Sequence, residues 1–330
     1  MINVHTVDKE VSWKVFDVPV YGTVTAPMDK EVYSAIIFVA GSGPTDRNWC
    51  SPLLPGTNGS GKLLAETLAR QGFLTLRYDK LASGPHVREN IPKLIGKISM
   101  QSHVEELAGA VETAMAEKNV NVDNLFVLSN SEGAIHAVNY HLQKKSSRFK
   151  GLVLTGAPGR TIGELGRSQI FDQIKHLPNA ESIMKPYDNA IADFLANKPI
   201  ALDLSLPERI RLLLQSLENP ANLPFSRELW TYSLPEQFAK INEPTLVVIG
   251  KKDIQVDWKT DGKALENAAV GKSDVKFVYP EDSNHLLKHE KIPREALSAH
   301  YVSLHYNASD AEIDREAVET IFDWLKKQAQ

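Results

Sequence analysis

The sequence predicts an α/β protein: a mostly parallel central sheet flanked by helices and interrupted by an all-helical segment. Three observations carry this. Short apolar runs without polar alternation, as expected of strands covered on both faces, alternate with helical spacings up to residue 159 and again from 241. Between them, residues 160–240 show helical spacings and no convincing strand. Third, residues 125–140, LFVLSNSEGAIHAVNY, read as a buried strand, a sharp turn and a helix with Ile135, Val138 and Leu142 on one side.

Taken in order, residues 11–27 alternate well enough for two strands, 12–18 and 21–25, punctuated by Gly22 and Pro27. The apolar strand 35–40 runs into Gly41-Ser42-Gly43-Pro44. The following loop, 44–61, is long, and loops of that length inside a compact domain are usually functional. A helix with Leu64 and Leu68 inward ends near Gly72, and strand 73–78 is closed by Asp79 and Lys80. A loop over 81–100 precedes an amphipathic helix carrying Val104, Leu107, Ala108, Val111 and Met115. Strand 151–156 follows the central strand, turn and helix.

The rhythm breaks at Pro158-Gly159. Pro178, Pro199, Pro207, Pro220 and Pro224 separate or start the helices of 160–240. The sheet resumes with strand 245–250, a helix over 261–269 and strand 275–279, after which a loop carries Asn284-His285. Residues 286–310 read as irregular, and a last helix presents Ile313, Ala317, Ile321 and Trp324 on one face. The expected organisation is a core of residues 1–159 and 241–330, with 160–240 inserted as a helical cap.

Composition narrows the function. The 330 residues are 42% hydrophobic and 24% charged, an ordinary globular balance. A formal net charge of -4 gives no reason to expect nucleic acid or an anionic membrane surface as partner. The single cysteine, Cys50, leaves no internal disulfide and no multi-cysteine metal site. The start of the chain, MINVHTVDKEVSWKV, has no apolar core of a signal peptide, and no run of about 18 apolar residues exists. A cytoplasmic protein without a membrane span is expected; the oligomeric state is not indicated.

In such a fold, reactive groups gather at the C-terminal ends of the strands. Ser131 stands at the tip of the strand-to-helix turn, where its hydroxyl would face a cleft and the next amide, of Glu132, would face developing negative charge at a helix N-terminus. Tight packing there asks for small residues on either side, here Ser129 and Gly133. The usual pattern is G-x-S-x-G, so Ser129 replaces a glycine, and a plain N-cap serine is the competing reading. Gly41-Ser42-Gly43 would let backbone amides approach a substrate oxygen. Asp253 follows strand 245–250 and His285 follows strand 275–279. The chain order Ser, Asp, His is that of the nucleophile-elbow hydrolases. Asp257 lies in the same loop as Asp253, but ahead of Trp258 and Lys259 it reads as a helix cap.

The chain resembles the α/β-hydrolase superfamily, in particular bacterial serine esterases (carboxylesterases) with an inserted helical cap. The resemblance is carried by Gly41-Ser42-Gly43-Pro44-Thr45-Asp46-Arg47-Asn48, Arg77-Tyr78-Asp79-Lys80, Ser131-Glu132-Gly133, Gly250-Lys251-Lys252-Asp253-Ile254-Gln255-Val256 and Asn284-His285-Leu286-Leu287-Lys288. These blocks span most of the chain outside 160–240. The resemblance implies an α/β-hydrolase fold and a small-molecule ester substrate. It also implies nucleophile Ser131, acid Asp253, base His285, an oxyanion hole from the amides of Ser42 and Glu132, and no metal or organic cofactor. Two departures stand out: Ser129-Asn130 replaces glycine-histidine before the nucleophile, and Ala40 replaces the histidine often found before the oxyanion glycine.

Acyltransferase, thioesterase and peptidase chemistry use the same triad, and a ligand-binding relative without turnover would keep the pocket. Epoxide hydrolysis and dehalogenation need an aspartate where Ser131 stands. Gly56-Thr57-Asn58-Gly59-Ser60-Gly61-Lys62 fits a phosphate loop, but Leu63 follows where Ser or Thr would bind magnesium, and the loop starts too far from its strand. Gly41-Ser42-Gly43 does not extend to a dinucleotide fingerprint, since Asp46 holds the last position. His285 and His289 are spaced for zinc only on a helix, which Pro293 and the loop composition argue against.

Overall fold

The computed structural model describes residues 5–28, 32–144 and 149–330. Residues 1–4 of the stretch read for a leader lie outside the described residues. Among the described residues eight strands form one sheet in the order β1-β2-β4-β3-β5-β6-β7-β8. They are β1 (Thr6–Val15), β2 (Val18–Pro27), β3 (Tyr33–Val39), β4 (Leu74–Tyr78), β5 (Val120–Asn130), β6 (Gly151–Thr155), β7 (Thr245–Val248) and β8 (Val275–Val278). β1 pairs antiparallel with β2, and β2 with β4; all other neighbours are parallel.

The central strands β3, β6 and β7 and the second half of β5 are mostly apolar and fully buried because both faces are covered, whereas edge strand β8 is only partly buried, with Lys276 exposed. Along β3, Ala35, Ile37 and Val39 point into one apolar cluster and Ile36 and Phe38 into the other. The first cluster is closed by α3 (Met100–Met115) and α4 (Glu132–Gln143), the second by α1 (Ser60–Arg70) and α12 (Arg315–Gln328). α1 and α12 contribute Leu64, Leu68, Ile321 and Trp324 to the second face. α3 begins with a capping box: Ser99 accepts from the Ser102 amide, and the Ser102 hydroxyl accepts from the Ser99 amide.

Between β6 and β7 the chain forms α5 (Ile162–Ile174), α6 (Ala180–Leu195), α7 (Glu208–Leu217), α8 (Phe225–Trp230) and α9 (Leu234–Phe238). Ile170, Met184, Tyr187, Phe194, Leu214 and Trp230 form an apolar cluster of their own. Leu234 and Phe238 of α9 instead join the cluster under the sheet. α10 (Asp261–Ala268) links β7 to β8. No helix among the described residues is long and apolar enough to cross a membrane.

Three local readings of the sequence need correction. The first two strands are longer than 12–18 and 21–25, and the break falls at Phe16-Asp17, both left-handed, in a two-residue hairpin turn. Gly22 lies inside β2 instead, where a Cβ would meet the Arg77 carbonyl at 2.8 Å. The loop read at 81–100 contains α2 (Val87–Leu94), which its internal Pro92 disguises. The irregular stretch 286–310 contains a 3₁₀ turn, Arg294–Ala296, and α11 (Ala299–His305), capped by the Ser298 hydroxyl.

Candidate active site

β5 delivers Ser131 at its C-terminal end, and α4 starts at the next residue. The chain turns there with φ 55° and ψ -126° at Ser131, a conformation that costs a non-glycine residue of order 1–3 kcal/mol. Ser131 occupies the N-cap position, yet its side chain makes no capping hydrogen bond. The hydroxyl is therefore not spent on the helix. Its backbone N–H donates to the Thr155 carbonyl at 2.8 Å, which fixes the turn to the end of β6.

The small residues around the elbow have separate reasons. A Cβ at Gly133 would lie 2.5 Å from the Val39 carbonyl oxygen and 2.7 Å from that of Ala40. α4 can start against the end of β3 only without a side chain there. Ser129 is fully buried in β5, and its hydroxyl donates to the Val153 carbonyl at 3.3 Å. A serine is thus accommodated where a glycine is usual, because β6 offers it an acceptor. Asn130 Nδ2 donates to Thr155 Oγ1 at 3.2 Å and to the His285 carbonyl at 3.0 Å. That amide ties the elbow to the histidine loop, a role that the residue type alone did not announce.

Asp253 and His285 meet, with Asp253 Oδ2 2.7 Å from His285 Nδ1. The other carboxylate oxygen accepts from the Gln255 and Val256 amides at 2.7 and 2.9 Å. Both side chains are almost wholly buried. The two loops touch because Gly250 has no side chain: a Cβ there would stand 2.0 Å from the Ser283 carbonyl oxygen. The histidine loop is turned by Asn284, whose Oδ1 accepts from the Leu286 and Lys288 amides. Lys288 pins it further by donating to the carbonyls of Asn58 and Ala311, and burial pushes this ammonium down to about 8. A Cβ at Gly156 would lie 3.1 Å from the His285 ring, so this ring stands over the end of β6. Among the described residues no hydrogen bond joins Ser131 Oγ to His285; such contacts are often long without substrate.

Asp257 faces elsewhere. It accepts from the Thr260 amide at 2.8 Å and pairs with Arg294 at 2.6 Å. α10 starts at Asp261 as expected, but Thr260 holds its N-cap position, so Asp257 is not the cap that its place in the sequence suggested. The fully buried Asp261 carboxylate takes the Gly159 amide, two Arg160 nitrogens and the Asp257 amide, and so fastens the start of the helical insertion to α10.

Ser42 follows β3 and Glu132 opens α4, so both amides flank the elbow. Neither N–H donates to another group among the described residues. Gly41 lies against Ser131: a Cβ at Gly41 would be 3.2 Å from that of Ser131. The loop after Gly43 is clamped by Arg47, which pairs with Asp79 through both Nε and Nη2 and reaches Glu10 through Nη1. The Glu132 carboxyl is buried. Burial alone would raise its pKa, but Lys80 and then His136 more than offset this and hold it well below the usual range. Burial, and then His103, push His136 down to about 4.

The decoys resolve into structure. Gly56 packs against the Asn307 backbone, and Lys62 pairs with Glu66. His289 pairs with Asp314 and not with His285. A cavity of about 410 Å³ opens at the opposite, N-terminal edge of the sheet, between Tyr33, Asn121, Asn124 and Lys326; no candidate site residue lines it.

No protein-family model matches the chain. The chain is 23% identical over 316 residues to esterase EstD of Thermotoga maritima, an alignment covering 93% of this chain and 65% of that protein. The chain thus spans just under two thirds of the relative it matches. Among solved structures, 2,6-dihydroxy-pseudo-oxynicotine hydrolase superposes with a TM-score of 0.57 at 13% identity, over 97% of this chain and 68% of that one. Est1E from Butyrivibrio proteoclasticus, with ferulic acid bound, gives 0.56 at 14% identity over 96% and 98% of the two chains. Bromoperoxidase from Bacillus anthracis gives 0.55 at 15% identity over 96% and 100%. Strand order, crossover helices and these likenesses together establish that the chain has the α/β-hydrolase fold.

Proposed function

We propose that the chain is a serine hydrolase of carboxylic esters, acting through an acyl-enzyme on Ser131. The observation that carries the reading is Ser131 itself: a strained backbone at a strand-to-helix turn, with the hydroxyl withheld from the helix it caps. In the mechanism, His285 takes the Ser131 proton as the hydroxyl attacks the ester carbonyl. Asp253 holds the imidazole by its Nδ1 and stabilises the imidazolium that forms. The amides of Ser42 and Glu132 receive the oxyanion. His285 then protonates the departing alcohol, and water, deprotonated by the same histidine, hydrolyses the acyl-enzyme. Apart from substrate and water, each step draws on groups of the chain itself.

Residues 160–240 serve in this reading as the cap over the cleft. Their separate apolar cluster makes α5 to α7 a unit that can vary in shape while the sheet stays fixed. Exchanging this segment shifts acyl-chain preference while Ser131 remains reactive; unchanged preference across several exchanges contradicts the cap role. The reading places the enzyme in the cytoplasm, since its one cysteine, Cys50, asks for no oxidising compartment. The direct test is turnover of a panel of esters, thioesters and amides. Ester hydrolysis should dominate, and Ser131→Ala should lower it by roughly 10⁵–10⁶. Dominant turnover of amides or thioesters overturns the substrate class.

A further inference from the structure

We propose that Lys80 is a positioning residue that sets the oxyanion-binding peptide by gripping the Gly41 carbonyl. The inference rests on the reading of Ser131 as nucleophile. Lys80 follows β4, and its side chain is only 5% exposed. Its ammonium donates to the Gly41 oxygen. A trans peptide is planar, with its C=O and N–H on opposite sides. Holding the Gly41 oxygen on one side therefore turns the Ser42 N–H to the other. A positive charge on that oxygen also polarises the peptide, which strengthens the Ser42 N–H as a donor.

The same ammonium lies 3.7 Å from Glu132 Oε1, in the side chain of the residue that supplies the second oxyanion amide. One buried cation thus binds the peptide that presents the first amide and lies beside the side chain of the residue that presents the second. Behind it the groups close into a ring. Glu132 Oε1 faces His136 Nε2 at 3.1 Å, and the His136 ring lies against His103 with centroids 4.2 Å apart. His103 Nδ1 meets Glu106 Oε2 at 2.7 Å, and Glu106 Oε1 accepts the N–H of Leu81, the residue after Lys80. Phe225 covers both imidazoles.

A merely structural ion pair would be an odd choice here. The elbow needs only the Glu132 backbone amide, and a buried ion pair contributes little net stability over apolar residues of similar volume. The contact with the Gly41 oxygen is what an apolar pair would lose.

The test is the double variant Lys80→Met/Glu132→Gln, which removes both charges together and so leaves neither buried alone. Ester turnover is measured with affinity for a trifluoromethyl ketone, whose adduct on Ser131 carries the oxyanion. Loss of one oxyanion donor predicts a kcat lowered by roughly 10²–10³, with ketone affinity falling in parallel and KM changed less than about threefold. A folded double variant with wild-type kcat and ketone affinity makes Lys80 a counter-charge only and overturns the assignment. So does a rise in KM at unchanged kcat. A wild-type protein inert to every ester and to the ketone overturns the hydrolase reading itself, and this inference with it.

Discussion

Two buried carboxylate–imidazole pairs lie on either side of the elbow, Asp253 with His285 and Glu132 with His136. By residue type and burial they are near equivalents. Their surroundings separate them. Among the described residues the other nitrogen of His136, Nδ1, is sealed from solvent without a hydrogen-bond partner, as is Nε2 of His103 beside it. His285 Nε2 is not among these sealed atoms. Asp253 spends its second oxygen on two backbone amides, which hold the carboxylate in place, whereas Glu132 lies beside the Lys80 ammonium. A buried acid–histidine pair is thus no signature of catalysis. In the proposed mechanism the proton-moving pair is the one whose second ring nitrogen is not sealed, and the sealed pair stands beside Lys80 as a positioning group.

The largest effect that breaks the comparison comes from Asp253→Asn. An amide presents its NH₂ to His285 and favours the wrong tautomer, so kcat should fall by on the order of 10³–10⁴ with the thermal transition unmoved. Retained turnover would mean that the wrong pair has been taken as catalytic.

A smaller effect sharpens the sealed side. Folded His136 takes a proton only near about 4, whereas the unfolded side chain does so at 6.5. Its contribution to stability is therefore complete above 6.5 and is lost as the pH falls through about 4. His136→Gln removes the titration and should flatten the drop in Tm across this window. An unchanged slope would show that His136 is charged in the folded protein.

The smallest effect calibrates the third carboxylate of the region. Asp257→Ala removes the hydrogen bond to the Thr260 amide and the half-exposed pair with Arg294. It should cost about 1 kcal/mol in stability, read from denaturant melts, with little change in turnover. Lost hydrolysis in a normally melting Asp257→Ala protein would move the acid from Asp253 to Asp257.

The parts of this molecule legible in the sequence are those governed by neighbours along the chain. The central parallel strands announced themselves because both faces are buried, and α1, α3 and α12 because one face is. Ser131, Asp253 and His285 stood out because each follows a strand. What stayed hidden depends on partners far away in sequence. Lys80 read only as the close of a strand and the end of a resemblance block, because its partner Gly41 lies 39 residues away. Asn130 was only a departure from a pattern until its side chain reached the His285 carbonyl, 155 residues on. Asp261 read as part of a helix, yet it holds four groups of two loops. The hairpin at Phe16-Asp17 was missed for another reason: neither residue is the glycine or asparagine such turns favour.

The central claim is that the strained elbow serine is the nucleophile. Its most direct measurement is peptide mapping by mass spectrometry after reaction with an organophosphonate, beside Ser131→Ala treated alike. The account predicts one adduct, on Ser131, formed in step with loss of ester turnover and missing from the variant. An adduct on Ser129, or full loss of turnover with Ser131 unlabelled, would contradict it.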